Sequence, residues 1–324
     1  MTQVLVTVDT ELSALLHQRG VSLATNYASS ILGECDGGAF GIAWQMTQLE
    51  RSGLKGVFFV DPLPALIYGE AWLADVIGPI VARGHEAQLH IHTEWLRWVK
   101  ESPVGGRTGQ NLADFSLEDQ KILLALAADV LTRAGAPKPI AFRAGNYGAD
   151  DNSLRALAAL GLAWDSSVNA PYLETYCRIG VGVDQVGAIG RHGVTELPVA
   201  GIYDRAGHIR PAQICALSAR EMRDALHHAA AAQHPAFVIV THSFETLSRN
   251  RVRANHSVTT RFKAMCNVIA AHDQLSSAGF ADLDPTALVS GTAARLSPNR
   301  VRTLMRIAEQ AIATWRYERQ LRPV

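Results

Sequence analysis

Several apolar, strand-like runs in this 324-residue chain end in residues that can bind a metal ion or transfer a proton. The run 4–9 (VLVTVD) ends in an aspartate, the run 86–92 (EAQLHIH) carries two histidines and the run 236–242 (AFVIVTH) ends in a third. Two further runs end at Arg143 and reach Asp165. Because the loops after parallel strands converge on one face of a β–α fold, we expect these residues to meet in one site.

His90 and His92 have the spacing of two ligands for one metal ion. Side chains two residues apart on a strand point to the same face, so both imidazoles can bind one ion. If the strand turns into a helix at His90, the four-residue spacing aligns Glu94 with His90 instead. A carboxylate from 9–11 adds a third ligand and leaves a position for water, as in hydrolytic zinc sites. The alternative is two buried histidines with satisfied hydrogen bonds, since such a short motif also occurs by chance.

The other polar strand ends have structural as well as functional interpretations. An arginine such as Arg143 also forms structural ion pairs, and Asp165, which precedes two serines, also caps turns. His242 closes a very apolar strand and opens into a polar loop, where burial and a neighbouring carboxylate would shift its pKa in opposite directions. The basic segment 248–257 (SRNRVRANHS) beside it either holds a phosphate or carboxylate of an anionic substrate or is a solvated loop.

Strand-like and helix-like segments alternate along the chain, and they must position the site. This alternation predicts parallel β–α units, as a barrel or a doubly wound sheet, in a single α/β domain. The loop 101–115 is the predicted insertion over a site. The predicted strands cover 4–9, 54–62, 86–92, 139–143, 162–167, 194–199 and 236–242. The predicted helices cover 41–53, 70–83, 116–135, 152–161, 219–233, about 259–279 and 298–320.

The composition limits the class of protein. Hydrophobic residues make up 48% of the chain, enough for a sizeable core, and 30 Lys and Arg balance 30 Asp and Glu. A chain without net charge lacks the electrostatic footprint of a dedicated nucleic-acid or anionic-membrane binder. No apolar run approaches the roughly 20 residues of a transmembrane helix. The first residues read as a strand instead of a signal peptide, and the cysteines form no CxxC pair, so we expect a cytoplasmic protein.

Five strand-end motifs follow one another along the chain: VTVDTE, GHEAQLHIHTEW, FRAGNYG, WDSS and VIVTHSFE. On these motifs, and on GLKGVFFVDP after the first, the chain resembles the polysaccharide deacetylases of the NodB-homology type (carbohydrate esterase family four) over roughly residues 4–282. The resemblance implies an α/β fold, an irregular (β/α)7-type barrel with parallel strands, as a catalytic domain over 1–285. Residues 286–324 would be an added C-terminal helical extension packed on that barrel.

The resemblance also implies roles for individual residues. Asp9 would be the general base that activates water, and Arg143 would sit against it and keep it ionised. The backbone N–H of Tyr147 would stabilise the tetrahedral oxyanion. His242 would be the general acid that protonates the departing amine, with Asp165 paired to it. Amide cleavage needs an activated nucleophile, charge stabilisation at oxygen and a proton for a poor leaving group.

The chain departs from the family pattern at the metal ligands. A threonine follows Asp9 where the common first motif has a second aspartate, so Glu11 is the substitute ligand. In the second motif a glutamate, Glu94, stands where the later histidine is usual, and an extra histidine lies between. We therefore expect a divalent metal, zinc before manganese or nickel, with either His92 or Glu94 completing the set. The candidate ligands are Glu11, His90, His92 and Glu94.

The leading hypothesis is a metal-dependent hydrolase that removes an acyl group, in the first place acetyl, from an N-acylated amino sugar or saccharide precursor. A second hypothesis changes the substrate to a small non-sugar C–N compound such as a cyclic ureide. A third is an inactive barrel that binds a saccharide or a partner protein. The joint presence of the base, the acid and their partners weighs against loss of activity.

The segment 299–323 lies outside the resemblance and has the pattern of an amphipathic helix. Its apolar positions follow helical spacing, so one face should be buried. Packing on the barrel is the first expectation, and a homodimer contact is the alternative. The apolar positions are Val301, Leu304, Met305, Ala308, Ile312 and Trp315.

Overall fold

The computed structural model describes residues 1–288 and 293–318 as a mixture of strands and helices. Its strands are β1 (Thr2–Thr10), β2 (Glu34–Cys35), β3 (Gly38–Ala39), β4 (Gly56–Val60), β5 (Glu86–Ile91), β6 (Ala141–Ala144), β7 (Trp164–Asp165), β8 (Ile189–Arg191), β9 (Val194–Glu196), β10 (Gly201–Arg205), β11 (His208–Pro211), β12 (Ala236–His242) and β13 (Leu275–Ser277). Its α-helices are α1 (Ala14–Gln18), α2 (Leu23–Tyr27), α3 (Ile42–Arg51), α4 (Ala65–Tyr68), α5 (Ala71–Ala82), α6 (Leu117–Arg133), α7 (Asp151–Leu160), α8 (Ala219–Ala231), α9 (His256–Ala271), α10 (Pro285–Leu288) and α11 (Arg300–Ala313).

Seven parallel strands form one curled sheet in the order β12-β1-β4-β5-β6-β7-β9. At one edge of this sheet β8 pairs antiparallel with β9, and β13 pairs in parallel with the first residues of β1. Single parallel bridges from Val199 to Val238 and from Gln213 to Val240 connect the chain after β9 back to β12. The sheet therefore curls into an irregular barrel, and the predicted α/β fold of the (β/α)7 type is confirmed.

The strand β1 serves both the core and the barrel mouth. Leu5 lies in the apolar cluster inside the barrel with Phe59 and Phe280. Thr7 and Asp9 follow on the same face, since side chains two residues apart on a strand point the same way. The intervening valines pack outward into the clusters beneath the helices. Burial of both faces explains the nearly continuous apolar run of this strand, and the polar residue at its end faces the mouth.

The predicted helices agree with the structure except towards the C-terminus. α3, α5, α6, α7 and α8 begin and end within two residues of their predicted bounds. The predicted helix over 259–279 is wrong at both ends, because α9 begins at His256 and ends at Ala271, and residues 275–277 form β13. These three residues pair with β1. A local sequence pattern cannot predict a pairing with a strand that lies more than 260 positions away in the chain.

The C-terminal helix α11 packs on the barrel through its polar face. Arg302 and Arg306 are buried on that face. Arg306 forms ion pairs with Asp204 at 2.9 Å and with Glu221 at 3.1 Å. The expectation that the apolar face is buried is wrong, because these two buried carboxylates need a cation and the arginine supplies it. All six apolar positions of the predicted amphipathic pattern are exposed: Val301, Leu304, Met305, Ala308, Ile312 and Trp315.

The predicted C-terminal segment extends beyond the part of the chain that the structure describes. Residues 319–323 of the predicted helical region, and 289–292 of the predicted extension, lie outside the described residues. Among the described helices, none combines the length and the apolar character needed to cross a membrane.

Candidate active site

A cavity of about 230 Å³ opens at the carboxyl ends of the barrel strands. Six predicted site residues contribute to its wall, and Tyr172, Tyr176 and Gln213 complete much of the rest. This is the position at which β–α barrels place their functional residues. The six residues are Asp9, Glu11, His90, His92, Tyr147 and His242.

None of the residues that line the cavity comes from the predicted insertion 101–115. It packs instead against the turn after β6, where the backbone N–H of Ala113 donates to the carbonyl oxygen of Gly148 at 2.9 Å. A Cβ on Gly148 would lie 2.4 Å from Asn111, so the glycine permits this close approach. The segment therefore supports the turn from behind, and the expectation of a cover over the site is wrong.

Arg143 holds Asp9 in one orientation. Nη1 of Arg143 donates to Oδ1 of Asp9 at 2.6 Å and to Oγ1 of Thr7 at 2.8 Å. Nε and Nη2 donate to the carbonyl oxygen and the hydroxyl of Ser166, both at 3.1 Å. The guanidinium is fully buried, so its charge is balanced by this carboxylate in a region with little water. Oδ2 of Asp9 stays on the side of His242, 3.9 Å from Nε2.

Glu11, His90 and His92 form a cluster with the donor atoms of a metal site. Oε2 of Glu11 lies 2.6 Å from Nε2 of His92 and 3.2 Å from Nε2 of His90. One ligand atom from each residue lies within 4.8 Å of the others. Nδ1 of His90 donates to the carbonyl oxygen of Arg143 at 2.7 Å, which fixes the ring and directs Nε2 to the cluster. Two imidazoles and one carboxylate suit a zinc ion with an open coordination position.

Glu94 lies beside this cluster. Its Oε1 is 4.0 Å from Nδ1 of His92, the ring nitrogen that does not face Glu11. The backbone of Gly145 approaches the same ring so closely that a Cβ there would lie 2.7 Å from it. The structure thus brings three of the four candidate ligands together and places Glu94 next to the third.

A carboxylate three residues later in the chain orients His242. Nδ1 of His242 donates to Oε1 of Glu245 at 2.8 Å, and Gln213 donates to the same oxygen at 2.5 Å. The hydroxyl of Thr241 donates to the second oxygen at 3.0 Å. Since Glu245 occupies Nδ1, the other nitrogen of His242 faces Asp9 and the cavity.

The prediction that Asp165 pairs with His242 is wrong. Asp165 is fully buried and accepts hydrogen bonds from the hydroxyl of Ser167 at 2.7 Å and from its backbone N–H at 3.2 Å. Its register on β7 places it opposite Glu196 of β9, and burial raises the pKa of both carboxyl groups. The chain after β9 lies between β7 and β12, which explains why Asp165 meets Glu196 instead of His242.

Tyr147 lies in a turn with unusual backbone geometry. Asn146 and Tyr147 have φ angles of 56° and 58°, in the left-handed region that side chains other than glycine rarely adopt. The ring of Tyr147 stacks on Tyr172 at 5.1 Å between centroids. Strained backbone of this kind persists where the surrounding structure enforces it, often at functional sites.

Comparison with known proteins adds information on the fold. No family model matches the sequence, and no curated protein does so either. A Mycobacterium smegmatis structure assigned to the polysaccharide deacetylases superposes with a TM-score of 0.55 at 17% identity, covering 87% of this chain and 88% of that one. The chain has the fold of the polysaccharide deacetylases. The predicted resemblance is thereby confirmed at the level of the fold.

The deacetylase fold is also similar to other solved structures. A 4-alpha-glucanotransferase from Thermococcus litoralis superposes with a TM-score of 0.51 at 8% identity, over 91% of this chain and 41% of that one. A family 4 carbohydrate esterase from Streptomyces lividans has a TM-score of 0.44 at 12% identity, over 92% and 98% of the two chains. Because the two structures with TM-scores above 0.5 carry different enzyme names, the activity has to be argued from the residues of the site.

Charges inside this deacetylase fold shift several pKa values. Burial alone would lower the pKa of His92, but the Glu11 carboxylate raises it to about 10. Burial likewise opposes the charged form of His242, whereas Glu245 and Asp9 raise its pKa to about 9. Burial would raise the pKa of Glu11, and the two histidines hold it well below its usual range. At neutral pH the site therefore contains paired carboxylates and imidazolium ions.

Sequence analysis did not assign a role to Asp61 or Glu245. Asp61 is fully buried after β4, and Oδ1 accepts the backbone N–H of Leu63 at 3.0 Å. Burial raises the pKa of Asp61 to about 7, against the influence of His92 and His90. Both acids could have been proposed from the sequence. Asp61 lies in the motif GLKGVFFVDP, and Glu245 lies in the motif VIVTHSFE.

Proposed function

We propose that the protein is a metal-dependent hydrolase that removes an acyl group, in the first place acetyl, from the nitrogen of an N-acylated amino sugar. The observation that supports this most directly is the cavity shared by Asp9, the cluster of Glu11, His90 and His92, and His242. The cavity therefore contains a base, a ligand set and an acid, which are the components that amide hydrolysis requires.

Asp9 acts as the general base in this proposal. Its Oδ1 is engaged by Arg143 at 2.6 Å, so Oδ2 is the oxygen available to accept a proton from water. The buried guanidinium prevents the side chain of Asp9 from rotating. Arg143 is therefore a positioning residue, since it touches the base and not the cavity.

His242 acts as the general acid. Its pKa of about 9 keeps the imidazole protonated at neutral pH, and Nε2 is the nitrogen on the cavity side. An amine is a poor leaving group until it is protonated, so a donor at this position lowers the barrier to C–N cleavage. Glu245 accepts the Nδ1 proton and holds the ring in the orientation in which Nε2 donates.

Glu11, His90 and His92 would hold the metal ion, for which we propose zinc. When bound, such an ion supplies a Lewis acid for the acyl oxygen and lowers the pKa of water. The backbone N–H of Tyr147, a residue of the cavity wall, would donate to the oxyanion that develops on the acyl carbon. The tyrosine rings of Tyr172 and Tyr176 line the same cavity and offer apolar faces to a sugar ring.

Acetate release from N-acetylglucosamine oligosaccharides by zinc-loaded protein tests the proposal. Asp9→Asn should lower kcat by about 100-fold or more, because the neutral amide cannot accept the proton. Asp129→Asn, at an exposed position on α6, is the matched control and should retain the wild-type rate. Release from small amides or cyclic ureides but not from acetylated sugars would shift the proposal to the second substrate class. Saccharide binding without turnover of either class would overturn it in favour of the binding barrel.

A further inference from the structure

The basic segment 248–257 contributes one arginine to the neighbourhood of the cavity. Arg249 is exposed, and Arg253 has its Cζ 5.2 Å from the ring centroid of Tyr317 in the C-terminal region. Arg251 instead has its Cζ 4.7 Å from the ring centroid of Phe244. That ring lies 5.5 Å from the imidazole of His242, so Arg251 stands one aromatic ring away from the cavity wall.

The guanidinium of Arg251 is held by the helical turn Ala28–Leu32, which directly follows α2. Its Nη1 donates to the hydroxyl of Ser29 at 3.2 Å and to the hydroxyl of Ser30. Ser30 is fully buried and donates its own proton to Oδ1 of Asn26 at 2.7 Å, so its oxygen is free to accept from the arginine. This chain of hydrogen bonds and the aromatic ring fix the plane of the guanidinium.

One edge of this fixed guanidinium has no partner. In the described part of the chain, Nε and Nη2 of Arg251 have no hydrogen-bond acceptor, and no carboxylate forms an ion pair with it. Most buried arginines in this molecule do find a carboxylate, as Arg143 and Arg306 show. The Nε–Nη2 edge carries two parallel N–H groups, the arrangement that matches two oxygens of a carboxylate or a phosphate.

The backbone of Arg251 is strained in support of this placement. Its φ is 60°, in the left-handed region, and its N–H donates to the carbonyl oxygen of Ser248 at 2.7 Å. Burial lowers the pKa of the Arg251 guanidinium, and the charge of the Glu11 carboxylate acts in the opposite direction. A strained, half-buried cation beside the site is costly unless it binds something.

We propose that Arg251 is a specificity-determining residue that binds an anionic group, a phosphate or a carboxylate, on the substrate. This inference rests on the proposed function and narrows it to N-acylated sugars with an acidic substituent. The Nε–Nη2 edge binds two oxygens of that substituent, while Phe244, Ser29 and Ser30 keep the edge in place. Ser29 and Ser30 accept hydrogen bonds from Nη1, on the other side of the guanidinium. An anion can therefore bind at the Nε–Nη2 edge without a change in these contacts.

Binding of inorganic phosphate tests the site without turnover. It is measured by calorimetry on the full chain in the presence of a chelator, so that a metal ion cannot be the receptor. Arg251→Gln should weaken phosphate binding by about 10-fold or more, as loss of a charge-assisted bidentate contact does. Arg249→Gln removes a charge from the same segment at an exposed position and should bind phosphate like the wild type. Equal weakening in the two variants would overturn the proposal, because it would reflect general charge.

Kinetics distinguish the two anion chemistries. N-acetylglucosamine 6-phosphate and N-acetylmuramic acid, a carboxylate, are compared with uncharged N-acetylglucosamine. The preference in kcat/KM for the charged sugars should fall by about 10-fold or more in Arg251→Gln and stay unchanged in Arg249→Gln. Arg251→Lys keeps the charge but loses the paired edge, so it should recover only part of the preference. A wild-type protein with no preference for either charged sugar overturns the proposal while leaving deacetylation intact. Phosphate binding that depends on Arg251 in a protein inactive on every sugar would instead count against the proposed function alone.

Discussion

Nδ1 of His242 and Oε1 of Glu245 lie 2.8 Å apart, in one turn of chain after β12. This contact, with Asp9 as a second influence, overcomes the burial of the ring and raises the pKa of His242 to about 9. The general acid of the proposed reaction therefore remains charged well above neutral pH. The pKa of His242 in the folded state lies above its ordinary value of about 6.5. The contact with Glu245 therefore contributes its full stabilisation below about pH 6.5. The contribution is lost as pH rises through about 9.

Glu245→Gln is expected to move the alkaline limb of the pH–rate profile to lower pH. Without the carboxylate, burial is opposed less and the imidazole loses its proton earlier, so the acid form disappears before pH 9. The measurement is kcat/KM for acetate release between pH 5 and pH 10. Asp165→Asn is the comparison, since Asp165 contacts Ser167 and Glu196 and should leave the limb in place. A shift in the Asp165 variant but not in the Glu245 variant would contradict the assignment.

Metal affinity is expected to increase with pH. His92 carries a proton up to a pKa of about 10, and that proton must leave before Nε2 can bind an ion. One displaced proton corresponds to about a tenfold gain in zinc affinity per pH unit. Competition with a chelating dye at pH 6, 7 and 8 measures this slope.

The same titration separates the candidate ligands. His90→Ala should lose zinc because Nε2 of His90 belongs to the cluster. Glu94→Gln should retain the ion, since its oxygen lies beside the other nitrogen of His92 at 4.0 Å. Equal loss of zinc from both variants would show that Glu94 is a ligand after all.

Gly145→Ala is expected to weaken metal binding without changing a ligand. A Cβ at this position would lie 2.7 Å from the imidazole of His92, so the ring has to leave its present position against Glu11. Changes next to metal ligands typically cost about 10-fold to 100-fold in affinity. Gly190→Ala is the matched control, because nothing lies within 4 Å of its added Cβ. Unchanged zinc affinity in Gly145→Ala, measured by the same dye competition, would argue against the close approach.

Arg306→Met is expected to destabilise the protein by about 3–5 kcal/mol, because it leaves the buried carboxylate of Glu221 without its cation, while Asp204 keeps Arg210 at 3.1 Å. Both partners, Asp204 and Glu221, are buried under α11. The free energy of unfolding in urea is the readout. Arg300→Met at the exposed start of the same helix should change stability little. Similar stability of the two variants would show that the polar face does not hold the helix in place.

The residues of the site could be found from the sequence because strand ends have a recognisable local pattern. An apolar run such as VFFV or VIVT indicates a buried strand, and the polar residue that ends the run indicates a position at the rim of the barrel. Asp9, Glu11, His90, His92 and His242 were all identified in this way, and all of them line the cavity. The alternation of segments likewise determined the fold class, since only parallel β–α units match it.

Contacts between those residues were decided by the tertiary structure. The choice between Glu245 and Asp165 as partner of His242 depended on the path of the chain after β9, which no local pattern encodes. Helical spacing of apolar residues in α11 established two faces but not which one is buried. Buried carboxylates from β10 and α8 decided that, because an unpaired charge in the interior costs more than an exposed apolar side chain. The sequence determined which residues end at the rim, and strand order and register determined which of them touch.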